Sequence, residues 1–387
     1  MQFMGYKRSD GRVGIRNHVM ILPSCACSGD VAKKIAAIVP GTVCINNQNG
    51  CGQVKGDLKI TLDIVSGFAA NPNVFATLVV GLGCEQMQYS LIKERVQSLT
   101  NKPIEYVGIH QEGGIAATIE KGRLLAFKLV EEAGKCVREP CDISHIIMGT
   151  NCGGSDPTSG FSANYVVGDV CDRLSDLGAT SIISETPEFV GAEHVLAKQG
   201  KTPEISKEII DIVKNYEDRL AAVGESLRQG NPSPGNIAAG ITTLEEKSLG
   251  CIRKAGTRPI QAVIYPGKMI DKERGTLVMD TVAYDVASVA DMTAVGSQLT
   301  VFTTGMGNPV GNPIAPVIKI TGNSKTFEWG NDYMDFDTSA SVRNEKTIHE
   351  LGGELLKLIK EVCEGKLVKA EQWGMTEIAI NRLCTFA

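Results

Sequence analysis

The chain has 387 residues, a formal net charge of −5 at pH 7, 43% hydrophobic residues and 21% charged residues. Its length exceeds the size at which one hydrophobic core keeps growing, so we expect two or three domains. The acidic balance argues against general nucleic-acid binding, and no apolar stretch reaches the roughly 18 residues of a membrane-spanning helix. The amino terminus lacks the pattern of a secretory signal, which predicts a cytoplasmic protein.

The first predicted unit spans residues 1–138 and alternates strands with helices. Strands are predicted where short β-branched runs end in turn residues, at 19–22, 42–45 and 77–80. Helices are predicted where apolar residues recur at helical spacing, at 31–38, 58–68, 90–99 and 115–133. Strand–loop–helix alternation is typical of a parallel sheet covered by helices.

Two further units are predicted, at residues 139–235 and 236–387. The second contains strands and helices in alternation, at 145–148, 163–177, 181–184 and 204–227. The third contains two strands and a helix, at 261–265, 299–303 and 348–362. The predicted fold class is therefore α/β, with strand–glycine-loop–helix units that form parallel or mixed sheets in two to three domains.

Three of the twelve cysteines are flanked by glycine near the ends of strand-like runs, namely Cys51, Cys84 and Cys152. Glycine lets the backbone approach a ligand closely, and loops at the carboxyl ends of strands build the sites of α/β proteins. We predict that the three thiolates hold a metal and leave one coordination position open. The alternative is that free cysteines fill the core as small hydrophobes. We adopt that alternative for Cys44, Cys136, Cys141, Cys171, Cys363 and Cys384.

A loop rich in glycine and hydroxyl groups follows Cys152. Ser155 and Asp156 lie at the expected start of a helix, where backbone N–H groups suit a carboxylate or a phosphate. We predict that both residues bind substrate. The alternative is that one of them only caps the helix.

The segment 236–256 concentrates basic residues beside acidic ones. Lys247 and Arg253 are candidates for gripping an acid substrate, and a desolvated lysine such as Lys254 can act as a base. The alternative is a charged helical turn stabilised by weak surface pairs. Histidine is scarce, and of the five only His110 lies in a glycine-rich loop.

Several sequence blocks resemble one enzyme family in their order along nearly the whole chain. The blocks are Gly5–Asn17, Gly50–Cys51, Gly81–Glu85, Cys152–Asp156, Glu185–Glu188, Gly191–Glu193, Asn231–Asn236, Lys247–Cys251, Thr304–Gly307, Pro316–Ser324 and Asp335–Asp337. They resemble the main catalytic region of altronate and galactarate dehydratases. The large subunit of sulfolactate sulfo-lyase is similar to the same family.

The resemblance implies an iron-dependent lyase that acts on a hydroxy acid. Such an enzyme removes a proton beside a carboxylate and expels a group from the next carbon, so the developing negative charge needs a positive centre. Thiolate ligands suit iron. We favour a 4Fe-4S cluster with one open iron, and mononuclear ferrous iron is the alternative. The resemblance also implies a separate small subunit in place of the family's amino-terminal domain, and we expect an oligomer.

Within this family context, Lys254 and His110 are the candidate bases and Glu85 is a candidate acid for the leaving group. Three functions remain open. The first is dehydration of a sugar acid such as altronate to a 2-keto-3-deoxy acid, and the second is release of sulfite from sulfolactate. The third is a non-enzymatic sensor of metal or redox state.

Overall fold

The computed structural model describes residues 1–384, and within them helices and strands alternate as the α/β prediction requires. The strands are β1 Gln2–Lys7, β2 Val13–Gly14, β3 His18–Pro23, β4 Thr42–Cys44, β5 Val74–Gly81, β6 Ile104–Gly108, β7 Glu139–Asp142, β8 Ile147–Cys152, β9 Thr180–Ile183, β10 Ile260–Ile264, β11 Gly275–Met279, β12 Leu299–Thr303, β13 Val317–Thr321 and β14 Phe336–Asp337. The described strands form two parallel sheets and one small antiparallel sheet. The predicted fold class is confirmed.

The helices follow the strands in the order that parallel sheets require. They are α1 Gly29–Ile38, α2 Lys55–Ala70, α3 Tyr89–Gln97, α4 Ile115–Ala133, α5 Asn164–Asp176, α6 Glu193–Leu196, α7 Pro203–Ala221, α8 Pro234–Ala238, α9 Leu244–Cys251, α10 Asp285–Ala294, α11 Ser324–Trp329, α12 Ser339–Val342, α13 Ile348–Cys363 and α14 Lys369–Gln372. Among the residues described, no helix combines the length and the apolar character needed to cross a membrane.

The first sheet has four parallel strands in the order β4-β3-β5-β6. Successive side chains of β3 point to opposite faces, so Val19 and Ile21 pack with α1 and α4, while Met20 and Leu22 pack with α2 and α3. Both faces are therefore covered. This explains why the strand is continuously apolar rather than alternating.

The second sheet has seven parallel strands in the order β10-β11-β9-β8-β12-β13-β14. It combines β8 and β9 of the predicted unit 139–235 with β10–β14 of the predicted unit 236–387. The boundary predicted after residue 235 thus falls between strands of one sheet, because β11 inserts beside β9 and β12 inserts beside β8. Periodicity locates strands but does not tell which of them become neighbours. Residues 385–387 of the third predicted unit lie outside the described residues.

Two predicted boundaries differ from the structure by four residues or more. The strand predicted at 145–148 lies at 147–152, because Asp142 caps a short turn at 143–145 through Ser144 N. The helix predicted at 204–227 ends at Ala221, and Gly224 follows with a φ of 78°. Strand β8 consequently reaches Cys152 itself, which places this cysteine at the carboxyl edge of the seven-stranded sheet.

Buried asparagines join the two parallel sheets. Asn73 Nδ2 donates to the backbone oxygens of Gln298 at 2.8 Å and Ile314 at 3.0 Å. Helix α2 also packs against α10, with Ile64 and Ala290 in one apolar cluster. These contacts fix the orientation of the two sheets, each of which ends in loops at its carboxyl edge.

Candidate active site

A cavity of about 250 Å³ opens at the carboxyl edge of the seven-stranded sheet. It lies between the loop and helix that follow β8 and the segment that contains α9. Four residues expected to bind substrate, Ser155, Asp156, Lys247 and Arg253, all line it. The structure thus brings together two segments that the sequence presents about 90 residues apart.

Cys152, Glu185 and Cys251 form a compact group at the base of this cavity. The Sγ atoms of Cys152 and Cys251 are 3.7 Å apart, and the three ligand atoms all lie within 4.8 Å of one another. Glu185 Oε2 accepts a hydrogen bond from the backbone N–H of Cys152 at 2.8 Å. All three residues are buried.

The backbone of Glu185 is strained. This residue directly follows Ser184 at the end of β9 and has a φ of 77°, in the left-handed region that non-glycine residues rarely adopt. Its N–H donates to Thr281 Oγ1 at 2.8 Å, which helps to hold the conformation. Such strain concentrates at functional sites, because there the direction of a side chain matters more than local stability.

Lys254 lies behind this group with no exposed surface, and its Nζ donates to Glu185 Oε2 at 3.1 Å. Burial opposes its charged form, but the negative charges of Cys152, Cys251 and Glu185 outweigh burial and raise the pKa of Lys254. The hydrogen bond to Cys251 and burial raise the pKa of the Cys152 thiol. Burial and the neighbouring Cys152 raise the pKa of Glu185 as well, and the ammonium of Lys254 opposes both shifts.

The donor set fits a single thiophilic metal ion. With metal–thiolate bonds of about 2.3 Å, two cysteines on a tetrahedral ion lie about 3.8 Å apart, close to the 3.7 Å between Cys152 and Cys251. Thiolate ligands favour iron or zinc over magnesium or calcium. Buried acceptors nearby, Asn151 Oδ1 and Glu188 Oε2, receive no hydrogen bond from any described residue, which is typical of groups that await a ligand or water.

A second ion pair lies beside the first. Glu188 Oε1 accepts from Lys247 Nζ at 3.0 Å and from Asn231 Nδ2 at 3.4 Å, and Lys247 also donates to Asn231 Oδ1 at 2.8 Å. Burial opposes the charged form of Lys247, but Glu188 outweighs it and raises the pKa of Lys247. This lysine therefore presents a fixed ammonium at the cavity wall.

Arg253 lies with its guanidinium 5.4 Å from the centre of the Tyr165 ring. Within residues 1–384 it forms no ion pair with a carboxylate, unlike Lys247 and Lys254. An arginine that is stacked but unpaired keeps its bidentate donors free for an acid.

The carboxylate of Asp156 is occupied within the protein. Its Oδ1 accepts from Thr158 Oγ1 at 2.6 Å and Ser159 N at 3.1 Å, and its Oδ2 accepts from Asn323 Nδ2 at 2.9 Å. These bonds satisfy the N–H groups at the start of the helical segment before α5. Asp156 therefore lines the cavity, and its hydrogen bonds also hold the cavity wall in shape.

The other predicted site residues lie at the other sheet. Cys51, Cys84, Glu85 and His110 are in the loops that follow β4, β5 and β6 of the four-stranded sheet. Of the three predicted metal ligands, only Cys152 belongs to the compact group. Within the described residues, this is the one group of three or more His, Cys, Asp or Glu residues close enough to hold one ion. The prediction that Cys51, Cys84 and Cys152 share one ion is therefore not matched by this arrangement.

Sequence reasoning did not select Glu185, Glu188 or Cys251 as site residues. A signal was present, since Glu185 and Glu188 follow a buried strand and Cys251 lies between Lys247 and Lys254. No periodicity reveals that the loop after β9 meets α9, because this contact depends on the order of strands in the sheet.

Comparisons with known proteins agree with this architecture. Residues 143–385 match the family described as D-galactarate/Altronate dehydratase, C-terminal, and residues 5–134 match D-galactarate dehydratase/Altronate hydrolase, second domain. The division between these two matches lies close to the boundary between the four-stranded and the seven-stranded sheet.

Individual relatives match along nearly the whole chain. The subunit beta of (2R)-sulfolactate sulfo-lyase from Chromohalobacter salexigens is 34% identical over 98% of this chain and 97% of its own length. Altronate dehydratase from Bacillus subtilis is 31% identical over 98% of this chain and 77% of its own. Galactarate dehydratase (L-threo-forming) from Escherichia coli is 32% identical over 99% of this chain and 76% of its own length.

These matches confirm the predicted family and the predicted class of enzyme, a lyase of the dehydratase type. Since both family descriptions match in order and relatives remain more than 30% identical along nearly all its length, the chain belongs to the D-galactarate/altronate dehydratase family.

Proposed function

We propose that this chain dehydrates a sugar acid such as altronate to a 2-keto-3-deoxy acid. The observation that carries the proposal is one cavity lined both by the unpaired Arg253 and by Cys152 and Cys251 of the buried group. A cation that binds a carboxylate thereby lies beside a site suited to a Lewis acid, which is the pairing that this reaction needs.

The reaction removes a proton from the carbon beside the carboxylate and a hydroxyl group from the next carbon. The proton passes to water in the cavity, and water returns a proton to Lys247. The hydroxyl leaves as water, and the resulting enol rearranges to the keto acid. Arg253 binds the carboxylate, and Ser155, which also lines the cavity, contacts a substrate hydroxyl. The ammonium of Lys247 lies at the wall and provides a proton for the departing hydroxyl.

We assign the metal as ferrous iron, held by Cys152, Glu185 and Cys251. When bound, such an ion acts as a Lewis acid that stabilises negative charge on the substrate oxygens. Lys254 does not line the cavity and donates to Glu185, so we assign it a positioning role for the carboxylate and the thiolates rather than that of the base. His110 and Glu85 belong to the other sheet edge and take no part in this cavity.

The second candidate is release of sulfite from sulfolactate. One observation favours it: the chain covers 97% of the sulfo-lyase subunit beta but 76–77% of the dehydratases. The word "subunit" in that relative's name supports a separate small subunit as partner here, within an oligomer. A sulfonate and a carboxylate both suit Arg253 and Lys247, so the cavity accepts either substrate class.

One assay with two readouts tests the proposal. Protein purified without oxygen and supplied with ferrous iron is given altronate, galactarate or (2R)-sulfolactate, and both 2-keto-3-deoxy acid and trapped sulfite are measured. Keto acid from a sugar acid supports dehydration. Sulfite from sulfolactate, with no keto acid formed from altronate or galactarate, moves the assignment to the second candidate. Neither product, with the small subunit present, contradicts both and favours the non-enzymatic sensor.

A further inference from the structure

Three cysteines lie together at the carboxyl edge of the four-stranded sheet, away from the cavity. Cys25 follows β3, Cys51 follows β4 and Cys84 follows β5, and these strands are neighbours in the order β4-β3-β5. We propose that Cys25, Cys51 and Cys84 bind an iron–sulfur cluster at this edge, as a centre distinct from the metal site of the cavity.

Backbone hydrogen bonds tie the three loops to one another. Ala26 N donates to Asn49 O at 3.2 Å, which joins the Cys25 loop to the Cys51 loop. Met87 N donates to Gly50 O at 2.9 Å, which joins the Cys84 loop to the residue just before Cys51. A third bond, from Gln53 N to Gln86 Oε1 at 2.9 Å, lies on the other side of Cys51.

Glycine makes this close approach possible. A Cβ atom at Gly50 would lie 2.0 Å from Ser24 O and 3.1 Å from the Cα of Cys25, and Gly50 has a φ of +97°. No other residue type fits there without moving the Cys25 loop away. The glycine beside Cys51 is thus explained by convergence on Cys25, a residue that the sequence pattern did not single out.

The loop of Cys84 is held from the opposite side. Glu85 is buried, and its carboxylate accepts from Ser24 Oγ at 2.6 Å and from Gly83 N at 2.6 Å. The Ser24 bond fixes the Cys84 loop against the residue that precedes Cys25. The arrangement of all three loops is therefore determined by the protein before any ligand binds.

The spacing of the thiols does not suit a single ion held by all three. Two thiolates on one ion lie at most about 4.6 Å apart, twice a metal–sulfur bond. Within the described residues no three ligand atoms of this edge lie within 4.8 Å of one another. A cluster instead takes each cysteine on a different iron and so accepts wider spacing. When a preformed cluster binds, three exogenous thiolate ligands leave its irons and take up the protons of the three cysteine thiols, and three new sulfur–iron bonds form.

The exposure of the cysteine side chains supports a centre that is open to solvent on one side. Cys25 is buried, whereas Cys51 and Cys84 are exposed. The three cysteines would therefore cover one side of a cluster, and its fourth iron would face solvent or a partner. Cys27 is also exposed, but it lies in the turn that leads into α1, whereas Gly50 approaches Ser24 and the Cα of Cys25.

The test is reconstitution of the full chain with ferric iron, sulfide and a thiol reductant without oxygen. Iron, acid-labile sulfide and visible absorption are measured for the wild type and for Cys25→Ser, Cys51→Ser and Cys84→Ser. The controls are Cys27→Ser, two residues from Cys25, and Cys251→Ser in the cavity. Circular dichroism and thermal unfolding of each variant establish that it is folded.

We expect about four sulfides per wild-type chain, at least a five-fold loss of sulfide in each of the three variants and less than a two-fold change in both controls. Loss of sulfide in Cys251→Ser, with Cys25→Ser unaffected, would overturn the proposal and move the cluster to the cavity. Absence of labile sulfide from reconstituted wild-type protein would also overturn it. Dehydratase activity is not the readout, so this result is independent of the function proposed for the cavity.

Discussion

The Sγ atoms of Cys152 and Cys251 lie 3.7 Å apart, although 99 residues separate them in the chain. Cys152 ends β8, and Cys251 ends α9, which begins after a long connection that includes α7. Their meeting closes the base of the cavity and places Glu185 and Lys254 beside them. The site therefore depends on the packing of α5 and α9 over the sheet.

Cys251→Ser should abolish tight binding of a divalent ion at the cavity, because a serine hydroxyl is a poor replacement for a thiolate ligand. The comparison uses two proteins that both carry Cys51→Ser and Cys84→Ser, which remove thiols of the other edge; one keeps Cys251 and the other has Cys251→Ser. On titration with Co²⁺, the protein that keeps Cys251 should show thiolate-to-metal absorption at about one ion per chain. Cys136→Ser, outside the cavity, is the control. Equal absorption with and without Cys251 would contradict the assigned ligand set.

Arg253→Gln should reduce kcat/KM for the acid substrate by roughly 10- to 100-fold, since a hydrogen bond to a charged group contributes about 1.5–3 kcal/mol. The loss should appear mainly as a higher KM. Arg253→Lys keeps the charge but loses the bidentate donors, so its effect should be smaller. Arg258→Gln, which breaks a surface pair with Asp176, is the control. An unchanged KM in Arg253→Gln would rule out the proposed clamp.

Lys254→Met should destabilise the metal-free protein by about 3–5 kcal/mol, because it leaves the carboxylate of Glu185 buried without its partner. The double variant with Glu185→Gln should recover most of this loss, since no charge then remains unpaired. Urea unfolding in the presence of a chelator measures both. If the double variant is as unstable as Lys254→Met, the ion pair does not account for the effect.

Asp291, buried in α10, makes stability depend on pH. Burial raises the pKa of Asp291 to about 8, whereas in the unfolded chain it is about 3.9. Folding therefore takes up a proton between these values, and the free energy of unfolding falls as pH rises from about 4 to 8. Asp291→Asn should reduce this pH-dependent fall in the free energy of unfolding, by an amount on the order of a few kcal/mol. Urea unfolding of both proteins at pH 5 and pH 8 checks this, and parallel pH profiles would contradict it.

Gly50→Ala should destabilise the four-stranded unit by more than about 1 kcal/mol, because its φ is positive and the added methyl meets Ser24 O. Gly56→Ala is the matched control, since a Cβ at Gly56 meets nothing within 4 Å and lies in the first turn of α2. That variant should be neutral or slightly more stable. Similar unfolding midpoints for the two variants would show that the loops do not need glycine at residue 50.

Much of the α/β pattern can be read from the sequence. Hydrophobic periodicity located seven of the fourteen described strands and seven of the fourteen described α-helices, and helix 115–133 was predicted with the observed bounds. The sequence also identified the segments that line the cavity, because Ser155, Lys247 and Arg253 lie in loops and helix ends rich in glycine and charge. Local pattern suffices for these features, since each is encoded within one short segment.

Which loops meet could not be read from the sequence. The tertiary structure paired Cys152 with Cys251 and Glu185, and it placed Cys51 and Cys84 beside Cys25 at another sheet. Parallel strands are joined by long crossovers, so the loops that meet at one sheet edge come from distant parts of the sequence. A cysteine flanked by glycine indicates a close approach, but strand order alone selects the partner that it approaches.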